Sequence, residues 1–165
     1  GFLSTPDREA ANKRLESKGT FKDGIFTWVD DKGQKHNMDG SAACFEEATG
    51  QKLVFHPARY DDVVMMDAEA YDWAPTGTAG VSTKLLGVFT ERNIQIRFIK
   101  IEAGATFNTG TRDQIEVLFM GTGSITVDGK TYGDKTGIEL LPEDKPTDIT
   151  AKAESILFSV TLPKF

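Results

Sequence analysis

One stretch of the sequence, from Gly104 to Gly123, constrains the fold more than any other segment. Within it, Ile115 to Met120 is a nearly continuous apolar run, which predicts a strand. Arg112 and Glu116 are four residues apart, so strict strand alternation places both side chains on one face of a sheet. The sequence therefore predicts a strand that carries two opposite charges on a single face.

The chain after this stretch continues as short strands separated by turns. Ser124 to Val127 and Thr131-Tyr132 flank Asp128-Gly129, and Asp-Gly between alternating runs is a strong hairpin signal. Many short strands separated by Gly, Pro and Asp, without a helical period, are typical of a β-sandwich or jelly roll. We expect residues 62–165 to form one all-β barrel.

The first part of the chain has a different pattern, and we expect residues 1–61 to form an N-terminal α/β extension packing on the barrel. It is predicted to be a helix–hairpin–helix. The helix begins at the N-cap Thr5, the hairpin covers Ile25 to His36, and Ser41 caps a second helix that Gly50 ends. Two brief strands are predicted beside the boundary, one from Leu53 to Pro57, which ends it or places it on an edge, and one from Val63 to Met66.

Composition excludes two classes of partner. A net charge of −6 and a pI near 5.0 argue against nucleic acid, whose sequence-independent binding needs clustered Lys and Arg. No apolar run approaches the roughly 18 residues of a membrane span, so no membrane partner is expected. The one cysteine, Cys44, permits no internal disulfide, which predicts a cytoplasmic location and a buried apolar role for its side chain.

The spacing of Gly104, Glu116 and Gly123 resembles the first motif of the cupin superfamily. That motif reads Gly, five residues, His-x-His, three or four residues, Glu, six residues, Gly. The resemblance implies an RmlC-like double-stranded β-helix, that is, a jelly-roll barrel. The entry loop, Tyr71 to Leu86, looks like that of ChrR-type and dihydroxyacetophenone-dioxygenase-like cupins. A homodimer is expected by analogy with the family.

Metal-bearing cupins hold their metal with three His and one Glu, and only Glu116 stands at such a position here. The two histidine positions of the first motif fall on Gly110 and Arg112, and that of the second motif falls on Thr147. Glycine offers no side chain, and arginine is a permanent cation without an acceptor. The resemblance therefore predicts a degenerate site with no metal and no cofactor.

The candidate site residues follow from this reading. Glu116 and His56 are the candidate catalytic bases, and Arg112 with Glu116 would bind the ligand or form an ion pair that replaces the metal. A loop position for Arg112, pointing at solvent, also stays open. Further ligand-binding candidates are Asn108, Gln114, Thr147 and Phe98.

Two functions remain open from the sequence. The first is a metal-free cupin that binds a small organic molecule, with an anion among the candidates, as a binding or regulatory module or a non-redox enzyme. The second is a cupin enzyme. It would be a metal-dependent dioxygenase or lyase with unusual ligands such as Glu116, His56 and Asp113, or a metal-free isomerase or epimerase with Glu116 or His56 as base. The barrel could also be the degenerate half of a two-cupin protein.

Overall fold

The helices and strands of this protein form two units, Gly1–Arg59 and Tyr60–Phe165. The structure is a computed structural model that describes residues 3–55, 57 and 59–163. The elements of the first unit are α1 (Thr5–Glu16), β1 (Gly19–Lys22), β2 (Ile25–Val29), β3 (Lys35–Asp39) and α2 (Gly40–Thr49). The second unit begins with a 3-10 turn at Ala68–Ala70. Its strands are β4 (Ala74–Pro75), β5 (Val81–Phe89), β6 (Ile94–Ile101), β7 (Thr106–Asn108), β8 (Glu116–Val127), β9 (Lys130–Tyr132), β10 (Gly137–Leu140) and β11 (Asp148–Thr161). None of the helices in the described residues has the length and apolar character needed to span a bilayer.

Local capping sets the helix boundaries of the first unit, and each cap differs slightly from the expected one. Ser4 rather than Thr5 caps α1, since the Ser4 hydroxyl accepts a 3.3 Å hydrogen bond from the Asp7 amide. Asp39 rather than Ser41 caps α2, because one carboxylate oxygen accepts from the amides of Ser41 and Ala42 at 2.9 and 3.0 Å.

The predicted hairpin is present as β2 and β3, and an additional strand, β1, pairs with β2. Asp23 and Gly24 connect β1 to β2 with φ values of 50° and 78°. Positive φ at both central residues is the requirement of a type I′ hairpin turn, and Asp-Gly meets it. The core beneath this sheet is formed by Ala11, Leu15, Phe26, Ala43 and Cys44.

The described residues of the two short strands predicted beside the boundary between the units form no strand. Residues 53–55, 57 and 63–66 are in neither helix nor strand. The side chains of Phe55, Val63 and Met65 are 76%, 84% and 86% exposed. The sequence signal was an apolar run alone, and such a run forms a strand only where a neighbouring strand accepts its hydrogen bonds.

The second unit is an antiparallel sheet in the order β10-β8-β11-β6-β5-β4, with β7 added to β11 and β9 added to β8. The long strand β11 pairs with β7 through its first residues and with β6 through its last, while β8 runs beside it almost throughout. One face of these strands is a closely packed apolar core, in which the fully buried side chains are Ile99, Ile101, Leu118, Met120, Ile125, Ile149 and Leu157.

Gly123, the last glycine of the opening stretch, lies within β8 where its register with β11 is irregular. Its φ is 112°, a conformation that a side chain disfavours. The Ser155 hydroxyl fills the adjacent space and accepts a 3.0 Å hydrogen bond from the Ser124 amide. The register between β8 and β11 shifts between Ala153 and Ile156, at the same level. Glycine here allows β8 to adopt the positive φ and remain paired with β11.

We predict that Gly123→Ala destabilises the second unit by about 2–4 kcal/mol, because both strain and overpacking act on it. A Cβ at this position would lie 2.6 Å from the Ser155 Cα and would also overlap the Ser155 hydroxyl. Urea denaturation followed by circular dichroism measures the effect. Gly121→Ala is the control, since its Cβ would meet nothing closer than 3.7 Å. Equal stability of the two variants would contradict the prediction.

We predict that Glu47→Gln weakens the first unit in a pH-dependent way. Hydrogen bonds from Lys18 (2.6 Å) and Arg14 (3.0 Å) lower the pKa of Glu47 below its ordinary value of 4.5. The stabilisation is therefore present at neutral pH and is lost as the pH falls below about 4.5. Because Arg14 and Lys18 are half exposed, the loss at pH 7 should be only about 0.5–1 kcal/mol.

Thermal melts of the wild type and Glu47→Gln between pH 7 and pH 3, followed by the amide NMR signals of α1 and α2, measure this difference. Glu9→Gln removes an exposed carboxylate of α1 as the control. A difference that stays constant over this pH range would show that the charge of Glu47 does not cause the effect.

Candidate functional site

The start of β8 places the carboxylate of Glu116 on the same strand face as the buried side chains of Leu118 and Met120. The Glu116 side chain is only 7% exposed, so its charge requires compensation. Arg97 supplies it, with Nη2 donating to Glu116 Oε1 at 2.9 Å. Ser159, which is fully buried, donates its hydroxyl to the same oxygen at 2.5 Å.

The three side chains come from three adjacent strands. Arg97 lies on β6 and is the register partner of Ser159 on β11, which in turn is the register partner of Leu118 on β8. Arg97 Nε also donates to the Ser159 hydroxyl, at 3.4 Å. Ser159 thus lies between the guanidinium and the carboxylate and contacts both. We refer to Arg97, Glu116 and Ser159 as the polar triad.

The polar triad retains hydrogen-bonding capacity. Arg97 Nη1 and Glu116 Oε2 make no hydrogen bond with the described residues. Neither of these two atoms is fully buried. The Arg97 side chain is 29% exposed. One donor group and one acceptor atom are therefore available to a molecule that reaches this end of the inner face.

The predicted ion pair between Arg112 and Glu116 is wrong. Arg112 lies before β8 in a loop, where Nη2 donates to the Gly110 carbonyl at 3.0 Å and to the Thr109 carbonyl at 3.4 Å, and Nη1 donates to the Leu141 carbonyl at 3.1 Å. Strand alternation, on which the prediction depended, begins only at Glu116. Arg112 joins two loops, and its predicted role in ligand binding stays a prediction.

The other predicted ligand-binding residues are spread over the second unit. Asn108 donates to Asp148 at 2.6 Å, and the Thr147 amide donates to the Thr109 hydroxyl at 2.9 Å. Gln114 is buried, and its amide hydrogen-bonds Asn93 and the Leu162 carbonyl. Their observed partners are protein groups, and a role for them in ligand binding stays a prediction.

Phe98 is next to Arg97 on β6, so its side chain lies on the opposite face and packs against Phe158 with ring centroids 5.4 Å apart. This places it away from the polar triad. His56, the second predicted base, lies outside the described residues.

Arg97 and Ser159 were not among the residues predicted from the sequence. Ile94, Ile96 and Phe98 alternate along β6, but the face that they share is the outer one, and the buried Ile99 and Ile101 lie on the inner face. Strand periodicity assigns residues to two faces and does not say which one is buried. An arginine between Ile96 and Phe98 in such a strand was the available signal.

The donor set does not fit a divalent metal. Within residues 3–55, 57 and 59–163, no three His, Cys, Asp or Glu side chains are grouped as a metal site requires. Glu116 shares one of its oxygens with the Arg97 cation, which would repel a dication. We therefore assign no chemical step to a metal at this position.

Comparison with known proteins gives structural matches only. No protein-family model matches the sequence, and no curated protein does so either. The acetylacetone dioxygenase from Acinetobacter johnsonii is 15% identical, covers 68% of this chain and 80% of its own, and has a TM-score of 0.54. A putative acetylacetone dioxygenase from Methylibium petroleiphilum is 18% identical, with a TM-score of 0.56 over 66% of this chain and 81% of its own.

Two further neighbours bear on the predicted family. An RmlC-like cupin from Shewanella frigidimarina is 18% identical, with a TM-score of 0.51 over 62% of this chain and 93% of its own. A chain of the Rhodobacter sphaeroides SigE complex with the anti-sigma ChrR is 18% identical, with a TM-score of 0.50 over 58% of this chain and 51% of its own. At such low identity these matches show the fold, and they confirm the predicted jelly roll.

We predict that Arg97→Met destabilises the second unit by about 2–4 kcal/mol, because it leaves the Glu116 carboxylate buried without a counter-ion. The double variant Arg97→Met/Glu116→Leu should recover at least half of this loss, since it removes both charges. Urea denaturation at pH 7 measures the unfolding free energies. Lys152→Met, which removes an exposed cation of β11, is the control. Equal losses in the single and double variants would contradict the assigned pairing.

Proposed function

We propose that this chain, which has the cupin fold, is a metal-free cupin that binds a small organic molecule at the polar triad. One observation carries the proposal. In the one charged pair on the described inner face, Arg97 Nη1 and Glu116 Oε2 are free to hydrogen-bond a ligand. If the ion pair only replaced a metal, we would expect other protein groups to hydrogen-bond these two atoms as well.

The side chains of the polar triad favour a metal-free protein over a metal-dependent dioxygenase or lyase, because they suit a divalent metal poorly. A metal at this position would lie beside the Arg97 cation and would require further ligands from residues such as Asp113 and His56. The names of two structural neighbours refer to acetylacetone dioxygenases, and that activity belongs to those proteins. Here the Arg97 cation is bonded to Glu116 Oε1, where it would repel a dication that approached Oε2.

Glu116 also supports a second candidate function, a metal-free isomerase or epimerase. Its Oε2 atom is free to accept a proton, while Arg97 and Ser159 hold Oε1 in a fixed orientation. A substrate would need an acidic C–H bond within reach of Oε2. In that case Glu116→Gln should abolish turnover while the ligand still binds.

We also propose a cytoplasmic location and a homodimer for this protein. Residues 1–61 would be an extension that packs on the barrel.

We predict that the protein, expressed and purified without chelators, contains less than about 0.1 equivalent of Fe, Mn, Zn or Ni, because the polar triad offers a dication one already-paired carboxylate. Elemental analysis by mass spectrometry measures the content. Stoichiometric metal that is lost in Glu116→Gln but kept in Glu139→Gln would overturn the metal-free proposal. Glu139 is a suitable control because it lies on the exposed face of β10, beside Val117.

The same proposal predicts that some members of a diverse panel of small organic molecules shift the NMR signals of the polar triad. The reporters are the Nε–Hε group of Arg97 and the methyl groups of Leu85 and Leu140, which are register partners of Arg97 and Glu116. Binding should weaken at least about tenfold in Ser159→Ala, which removes the hydroxyl that positions both charges. If the whole panel leaves these reporters unmoved, the proposed binding site is wrong.

A further inference from the structure

The charge balance around the polar triad restricts the kind of molecule that it can bind. Arg97 and Glu116 carry opposite charges, and their register partners on the neighbouring strands are all uncharged: Leu85 and Ser159 beside Arg97, and Leu140 and Thr161 beside Glu116. The group as a whole is therefore neutral. An anion would gain attraction from Arg97 and lose a similar amount through repulsion from Glu116, since both act at comparable distance.

The free atoms of the triad are a donor and an acceptor. The Arg97 guanidinium uses Nε and Nη2 within the protein, which leaves Nη1, while Glu116 uses Oε1 and leaves Oε2. A carboxylate ligand has only acceptors and would leave Glu116 Oε2 without a hydrogen bond. A primary carboxamide has one of each, because its carbonyl can accept from Arg97 and its NH₂ group can donate to Glu116.

Two exposed apolar side chains lie on the same strand face as Arg97. Leu85 is the register partner of Arg97 and is 51% exposed, and Val88 is the partner of Gln95 and is 37% exposed. Both belong to β5, on either side of the bulge where its register shifts. They would cover a small branched hydrocarbon attached to the polar head of a ligand.

We infer that the polar triad takes an uncharged ligand whose adjacent hydrogen-bond acceptor and donor are joined to a small branched apolar group. A carboxamide or lactam belongs to this class, whereas a carboxylate or phosphate does not. This inference rests on the proposed function. It also replaces the anion that the sequence suggested, because Arg97 comes with a paired carboxylate.

A pair of isosteric probes tests the inference. 3-Methylbutanamide and 3-methylbutanoate have the same branched chain and differ only in the head group. Titration of each into ¹³C,¹⁵N-labelled protein at pH 7, followed at the Arg97 Nε–Hε signal and the Leu85 and Val88 methyl signals, gives a Kd for each probe. We expect the amide to bind at least about fivefold more tightly than the carboxylate, since it satisfies both free atoms.

In the Glu116→Gln variant we expect the preference for the amide over the carboxylate to reverse. The variant keeps a carbonyl oxygen for Arg97 but leaves the site with one net positive charge, so 3-methylbutanoate should become the tighter ligand. Glu139→Gln also removes one negative charge from the barrel, but on its exposed face, and should leave the preference unchanged. Because the wild-type preference is measured without any substitution, the test does not depend on the folding of the variant.

Each outcome has a distinct consequence. Equal or tighter binding of the carboxylate to the wild type overturns the inference and leaves the proposed binding function standing. Reporter shifts caused by other members of the panel, with none from the amide, do the same. If neither probe nor any panel member shifts the reporters, the binding function itself is overturned, and this inference with it.

Discussion

A single buried carboxylate, that of Glu116, imposes the tightest requirement on the second unit. It lies on a strand face that is otherwise apolar, where an unpaired charge would cost several kcal/mol. Its partners come from the two strands beyond it in the sheet, Ser159 on β11 and Arg97 on β6. A slip of one residue in either register would turn a partner to the outer face, so the charge makes one alignment of the three strands strongly preferred.

The apolar layer next to the triad and the loops beyond it have separate roles. Leu118, Met120 and Leu157 fill the inner face, so this part of the barrel is a packed core. Arg112 donates to the backbone carbonyls of two loops, and Asn108, Thr147 and Gln114 bond other protein groups. Among the candidates in the described residues, binding capacity is therefore best supported at Arg97 and Glu116.

Much of this fold could be predicted from local signals. Asp128-Gly129, the glycines at 104 and 123 and the apolar run before Met120 act through neighbouring backbone, so their effects are visible in sequence. Glu116 was identified from its place in the motif spacing between Gly104 and Gly123, which is also a property of the sequence alone. Arg97 was missed because its partner is 19 residues away in sequence and on a non-adjacent strand. The Arg112–Glu116 pair was wrong because the strand begins only at Glu116.

Local signals are enough to predict the jelly roll and the helix–hairpin–helix start, and to see that Gly110, Arg112 and Thr147 stand where the cupin motifs have histidine. Turn chemistry, strand alternation and residue identity are local properties, and they suffice for these conclusions. Which arginine meets Glu116, which face of β6 is buried and which atoms remain free become visible only in the folded molecule. Those outcomes depend on the register among β8, β11 and β6, and register is fixed by the burial of all three strands together.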